Sequence, residues 1–510
     1  MFTSNYHYMK AYKLYIVIAG LLISLSACNK ELDTSPSNAV PEDIVLKTVA
    51  NLTALSEGTW ASMMDDFYGG TFGNPGYKTL TLVSEAMGND VALITTKYSF
   101  APVYRFTQMN DKTQSRLSAI WNQLYRIINN NNIIIANVDK VTGDATAKQV
   151  LKAQALALRA NTYLTIASFY QFSYLKDPLA KTAPIYTTPT TDTTRGNPKA
   201  TLQDIYTLII ADLQEAKGLL GTYQRPAKYK INLDVVNGLL ARAYLHTGKW
   251  VQAAEAANEA LKNYPLMPAA DYSKGFNDVN NSEWIWGHPE IPSQSDGSYS
   301  FHFLDVSSAS SYYYSFMADP FFGDLFEAGD IRKTLFSWDG NPGREGHLQY
   351  KKFKFRADQT GDLVLMRSAE AHLIKAEGYA RENNITDGAA ALNTLRAARG
   401  ATAFNAVGAT KEQLIEAILI ERRKELWGEG FALADIIRNQ LPVVRKPYVD
   451  GSGNDRKVTI TTPDGTVKQV PARYHTALKF ADGTNFVANS PLYIFAVPQA
   501  EEQNNPNLLK

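Results

Sequence analysis

Two groups of aromatic residues stand in stretches rich in Gly, Ser and Asn, where no core is expected. The first is Phe67, Tyr68, Phe72, Tyr77, Tyr98, Phe100 and Tyr104, with Asn74, Asn89, Asp90 and Arg105 interspersed. The second is Trp284, Trp286, Tyr299, Phe301, His302, Tyr312, Tyr313, Tyr314 and Phe316. A sugar ring has apolar C–H faces and a rim of hydroxyls. A flat aromatic covers the face, while Asn, Asp and Arg satisfy the rim. An unpaired buried hydroxyl costs about 1–3 kcal/mol, so the polar neighbours matter as much as the rings. The bland reading is that these rings plug loops onto a scaffold. For any single ring that reading is the better one; for the clusters the two are balanced. The ligand-binding candidates are therefore the Trp, Tyr and His residues of both groups, with Phe72, Asn89 and Asp90. Trp286→Ala or Tyr313→Ala is expected to weaken binding while leaving thermal stability nearly unchanged.

Catalytic chemistry has no comparable signature. The sequence contains no HExxH, P-loop, nucleophile elbow or Cys/His metal cluster. Its seven histidines are scattered without ligand spacing, and His246 and His372 read as packed or capping residues of helices. Asp450–Asp455 alternates oxygen ligands as a calcium loop does, but lacks the Gly at the sixth position and an acid at the twelfth. A Gly/Asp-rich turn is the simpler account. Glu421 and Glu425 share a helix face with Arg422 and Arg423 alongside. Arginine neighbours lower a carboxylate pKa, the wrong direction for a general acid. The expectation is a protein that is not an enzyme, with no cofactor and no metal.

Cys28 is the only cysteine among 510 residues, so no intramolecular disulfide forms. Lys10 and Lys13 precede an apolar run, Leu14 to Leu25, and small residues lead into Leu25-Ser26-Ala27-Cys28. The run is shorter than the roughly 20 residues of a membrane-spanning helix. It reads as a signal peptide, with Met9 an alternative start. The tetrad resembles a bacterial lipobox, in which the cysteine is acylated and becomes the mature N-terminus. Residues 29–41 are polar and Pro-containing and read as a tether. The 45% hydrophobic and 20% charged composition is that of a folded protein. A formal net charge of +1 gives no basic excess for nucleic acid.

The elements that must position the rings are mostly helical. Helical spacing runs through 42–64, 116–140, 147–172, 202–219 and 233–262. The last stretch reads as a hairpin: Leu240, Ala241, Tyr244, Gly248, Trp250, Ala253, Ala260 and Pro265 fall where a tetratricopeptide repeat places its packing residues. Further helices are expected at 362–381, 386–399 and 421–438. A short strand is expected at Glu283–Trp286, and a hairpin where Val458–Ile460 and Val467–Val470 flank Pro463-Asp464-Gly465. The fold class is mostly α. Tetratricopeptide-like hairpins form a scaffold, and long loops with a few short β-hairpins carry the ligand face.

The segments LMRSAEAHLIKAEGYA (365–380), ALNTLRAARG (391–400) and ERRKELWGEGFALADIIR (421–438) resemble the SusD/RagB family of outer-membrane nutrient-binding lipoproteins. Trp121–Tyr125 with Asn129 and Asn130, Leu158-Arg159-Ala160 with Tyr163, and the closing PLYIFAVPQAEEQNNPNL (491–508) extend the resemblance over essentially the whole chain. Two departures are visible. FYQFSYLKDPLAKTAPIY (169–186) keeps only Pro184 of the usual Tyr-Gly-x-Val-Pro, and the chain ends Leu508-Leu509-Lys510 in place of Gln-Asn.

The resemblance implies a signal peptide (1–27), a lipidated tether (28–41) and one α-rich domain (42–510). Within that domain 42–265 is N-terminal, 266–361 loop-rich, 362–440 helical, and 441–510 a hairpin and tail. It implies glycan capture at the outer membrane, facing the exterior, and delivery to a SusC-like TonB-dependent transporter. Alternatives are the same role with peptide cargo, a surface-anchored glycoside hydrolase and a tetratricopeptide-style adaptor. Acylation of Cys28 has a direct test. Cys28→Ser should abolish palmitate labelling in cells and shift the protein from membrane to soluble fraction; unchanged labelling would place the lipid elsewhere.

Overall fold

The computed structural model describes residues 46–67, 70, 73–95, 100–309 and 311–510. Cys28 with its signal segment and tether, and the candidates Tyr68, Phe72 and Tyr98, lie outside the described residues.

Side-chain caps start many of the helices. Thr48 accepts from Asn51 N at the head of α1 (Val49–Met64), which is followed by α2 (Lys78–Ala86) and α3 (Ser115–Asn137). Asp144 caps α4 (Ala145–Phe169), and Thr201 with Asp204 forms a capping box on α5 (Leu202–Leu220). Asn232 caps α6 (Leu233–His246), and a short turn leads to α7 (Trp250–Leu261). After a long loop-rich stretch come α8 (Ser368–Arg381), α9 (Ile385–Ala398), α10 (Lys411–Leu426), α11 (Ala432–Arg438) and the short α12 (Gln499–Asn504).

Chain order becomes spatial order. From α3 to α9 each of these helices packs on the next, and α10 packs back on α8. The pairing of α7 with α8 holds although about a hundred residues separate them. Their close approach needs a glycine: a Cβ on Gly378 would lie 2.6 Å from the Trp250 carbonyl oxygen. This is the mostly α, tetratricopeptide-like scaffold expected from the sequence.

The strands are short and antiparallel. β1 (Val91–Leu93), β5 (Phe316–Ala318), β7 (Leu348–Tyr350) and β6 (Phe336–Trp338) make a four-stranded sheet in that order. β2 (Lys181–Pro184) pairs with β3 (Lys199–Thr201), and β4 (Trp284–His288) with β8 (Leu363–Arg367). β9 (Lys457–Thr461) and β10 (Val467–Pro471) form the expected hairpin, with Val458 opposite Val470.

Two expected helices are corrected. The 362–381 helix starts only at Ser368, because Leu363–Arg367 is an apolar strand closed against β4. The 421–438 helix is two, broken where Gly428 (φ +80°) and Gly430 (φ +96°) take left-handed backbone. Arg367 ends the strand, while Glu370, in the first turn of α8, pairs with Arg242.

The recognisable charges of this region are buried ion pairs. Arg332, Arg367 and Arg399 are fully buried around Glu425. Arg367 also bonds Glu283 at 2.5 Å and Glu429 at 2.7 Å; Arg332 bonds Asp330 at 2.7 Å and Glu421 at 2.5 Å. Arg399 reaches Glu283 at 2.9 Å, Lys352 reaches Glu429 at 2.6 Å, and Lys424 reaches Asp330 at 2.9 Å. Three guanidiniums hold the Glu425 carboxyl well below the usual range despite its burial. Removing one member of such a cluster leaves uncompensated buried charge. Glu425→Ala should cost about 3–5 kcal/mol in denaturant unfolding. A loss under about 1 kcal/mol would show the cluster to be dispensable.

Candidate functional site

The two aromatic groups meet in space. β1 pairs with β5, and Ile94 N donates to the Ser315 carbonyl at 2.9 Å, so the chain leaving β1 starts beside Tyr314. Phe100 packs against Phe303 and Phe316, at ring-centroid distances of 5.0 and 5.5 Å. On the other flank the Asp65, Asp66 and Asp296 carboxyls lie within 4.8 Å of one another.

At this junction an arc of rings comes from the second group, with Phe355 added from beyond it. Tyr312 is 57% exposed and stacks on the His302 imidazole, 4.2 Å between centroids and 13° between planes. Tyr299 meets His302 edge-on at 4.4 Å, and its hydroxyl lies 2.7 Å from that of Tyr313. Phe355 closes on the far side of His302 at 4.6 Å. Tyr314, half-buried at φ +47°, carries the Arg344 guanidinium over its ring at 4.0 Å. Burial pushes the His302 pKa down to about 4, so the imidazole is neutral near pH 7. It supports Tyr312 from beneath as an uncharged aromatic.

Backbone bonds fix the loop that carries these rings. The His302 carbonyl accepts from Tyr313 N and Tyr314 N, both at 3.2 Å, and from Ser311 Oγ at 2.9 Å. The Asp305 carboxylate accepts from Ser307 N, Ser308 N and Phe355 N at 2.9–3.0 Å. Among the described residues His302 Nδ1 and Arg344 Nη1 find no hydrogen-bond partner.

The other candidates belong to the scaffold. Trp284 and Tyr104 are 0% exposed, and Trp286 and Tyr313 are 2% exposed. Trp286 donates its indole N–H to the Tyr229 carbonyl and packs edge-on against Trp60 at 5.8 Å. Trp284 through Gly287 are all buried, so both faces of β4 are covered and neither Trp284 nor Trp286 is turned outward. Tyr104 bonds His475 Nδ1 at 2.8 Å beneath Arg445. Asn89 accepts from Val444 N, and Asp90 is clasped by Arg423. Tyr77 turns inward to Thr165 and Asn161, in an interhelical cavity of about 140 Å³ where Arg242, Glu370, Glu429 and Arg438 are already ion-paired.

Sequence reasoning did not find Arg344, Phe355 or the three aspartates. Arg344 and Phe355 lie past the aromatic run and carried no pattern. The aspartates come together only through folding. A cation is the one cofactor that trio could hold. Burial, together with their mutual repulsion, raises the Asp66 and Asp296 carboxyls. The Asp450 turn is the expected bland one, its carboxylate accepting from Ser452 N and Asn454 N.

A stack of repeat-like helices holding exposed rings on rigid loops is the architecture of a binding scaffold. Among the described residues no helix is long and apolar enough to cross a membrane. Residues 13–245 match a family described as starch-binding and associating with the outer membrane, and residues 342–510 match the SusD family. A SusD-like carbohydrate binding protein of Bacteroides vulgatus is 39% identical, with a TM-score of 0.85 over 91% of this chain and 98% of that one. A putative sugar binding protein of the same species is 23% identical over the same shares, with a TM-score of 0.74. SusD-like protein P2 of Formosa agariphila is 28% identical over 278 residues, 54% of this chain and 51% of that relative. Thus the chain spans about half the length of this curated relative. The chain belongs to the SusD family, whose members are binding proteins associated with the outer membrane.

Burial separates core rings from ligand rings in one pair of variants. Trp286→Ala should cost about 3–5 kcal/mol in thermal or denaturant unfolding. Tyr312→Ala should stay within about 0.5 kcal/mol of the parent. Equal losses would mean that Tyr312 is part of the packing.

Proposed function

We propose that this protein is a cell-surface receptor that captures glycans on the Tyr299–His302–Tyr312–Tyr314 arc and carries no chemistry of its own. It hands them to a SusC-like TonB-dependent transporter, and an acylated Cys28 holds it on the outer membrane facing the exterior. The observation that carries the reading is Tyr312, a large exposed ring held flat by an uncharged stack. An apolar C–H face can lie on it without displacing a charge. The hydroxyls of the half-buried Tyr299 and Tyr314 supply rim contacts. The carbohydrate- and sugar-binding descriptions of the two Bacteroides vulgatus relatives support glycan as the cargo.

Calorimetric titration of the soluble form with oligosaccharide pools and peptide pools tests it. Saturable heat is expected with oligosaccharides. Tyr312→Ala should weaken it about tenfold, equivalent to roughly 1.4 kcal/mol. His302→Ala should weaken it by less, since His302 acts through Tyr312. Saturable heat with peptides alone would replace glycan by peptide as the cargo. Turnover of a glycan, abolished by a single Asp or Glu change, would make the protein a hydrolase.

A further inference from the structure

A polar trough runs across the exposed face of α3, and none of the arc residues lines it. Its floor is made by Asn122 and Arg126, one helical turn apart and both exposed. Neither has a hydrogen bond or ion pair among the described residues. Both line two adjoining hollows. One, of about 360 Å³, is walled by Tyr125, Tyr186 and Glu501. The other, of about 320 Å³, is walled by Phe67 and the serines at the start of α3.

The wall above the first hollow is built, not draped. Asn129 exchanges two bonds with Thr190, at 3.1 Å to its carbonyl and 2.7 Å from its N–H. Asn132 donates to the carbonyls of Tyr186 and Thr188, and Tyr163 clasps the Tyr186 backbone from both sides. Tyr125 donates to the Pro184 carbonyl and meets the Tyr186 ring edge-on at 5.9 Å. The groups that hold the wall are thus satisfied within the protein. Asn122, Arg126 and one Glu501 carboxylate oxygen are left facing the trough.

From this geometry we infer that the α3 trough is a second saccharide-binding site, taking a neutral oligosaccharide chain. One cation, one carboxylate, a free amide and tyrosine walls match a chain of hydroxyls that both donate and accept. A single carboxylate is too few for a metal ion, and a single cation too few to track a polyphosphate backbone. The balance of the two charges gives an acidic polymer no preference. The site deepens the glycan reading and rests on it, but uses none of the arc residues.

The test uses the soluble full domain and a printed array of malto-, xylo-, manno- and uronate oligosaccharides. The parent, Tyr312→Ala and the double variant Asn122→Ala/Arg126→Ala are compared, with melting curves confirming that each folds. The double variant should lose at least tenfold in affinity for one or more neutral series. Those same series should still bind Tyr312→Ala. Binding by the double variant within twofold of the parent for every series overturns the trough, and leaves the arc standing if Tyr312→Ala alone is weakened. A preference of the trough for the uronates overturns its neutral assignment. A parent that binds no series overturns both sites.

Discussion

The cluster around Glu425 is the constraint on which the rest of the structure depends. Arg332, Arg367, Arg399, Lys352 and Lys424 face Glu283, Glu421, Glu425, Glu429 and Asp330. Five positive and five negative charges are taken out of water together. Their desolvation is tolerated only because they balance and because most of their atoms are hydrogen-bonded. Lys352 reaches the carbonyls of Glu425 and Trp427 besides Glu429, and Arg367 reaches the Glu425 carbonyl. Such a cluster stabilises less than its bond count suggests, yet it tolerates little else in its place. It fixes which segments meet.

Those segments are the two ends of the loop-rich stretch and the helices beyond it. Glu283 stands just before β4, and Arg367 is the last residue of β8. Their ion pair and the pairing of β4 with β8 close the base of about eighty intervening residues. Loop-closure entropy grows slowly with length, so one strong clasp at the base holds a long excursion. Farther out the loop must be held locally, and the His302 carbonyl does this with three bonds and the Asp305 carboxylate with four. The exposed arc is rigid for that reason, although it lies far along an irregular segment.

Much of the scaffold was legible in the sequence because helix periodicity and caps are local. Ser115–Asn137, Ala145–Phe169 and Leu202–Leu220 agree with their expected spans to within a few residues. The strand Leu363–Arg367 replaces a helix start because its short apolar run, Leu363 to Met366, fits either element. The glycines at 428 and 430 were a turn signal, obscured by the charges on either side. The members of the second aromatic group divide by burial, which a single sequence does not encode. Tyr312 and Tyr313 are adjacent and identical in type, yet one is 57% exposed and the other 2%. Tyr313 packs against Phe303 and Tyr299, while Tyr312 stacks on His302 with its other side open. Likewise Trp284 and Trp286 are both buried because both faces of β4 are covered, which the sequence of the strand alone does not announce.

The distribution of perturbed acids bears on what the site can do. Burial raises Glu85 and Asp319 to about 7, values that elsewhere would suggest proton transfer. Both lie in the scaffold. Glu85 accepts from Gly430 N at the α10–α11 break, and Asp319 caps the turn after β5 beside Asp90. Neither faces the arc. The arc itself is assembled from neutral rings and an arginine whose charge is shared with the buried Asp339 at 3.1 Å. An acid–base site needs two titratable groups set apart by their surroundings and aimed at one atom. Beside the arc the raised acids are Asp66 and Asp296, crowded with Asp65 on its flank rather than set apart from one another. On the proposed reading, the uncharged rings of the arc are what would grip a hydroxyl-rimmed ligand.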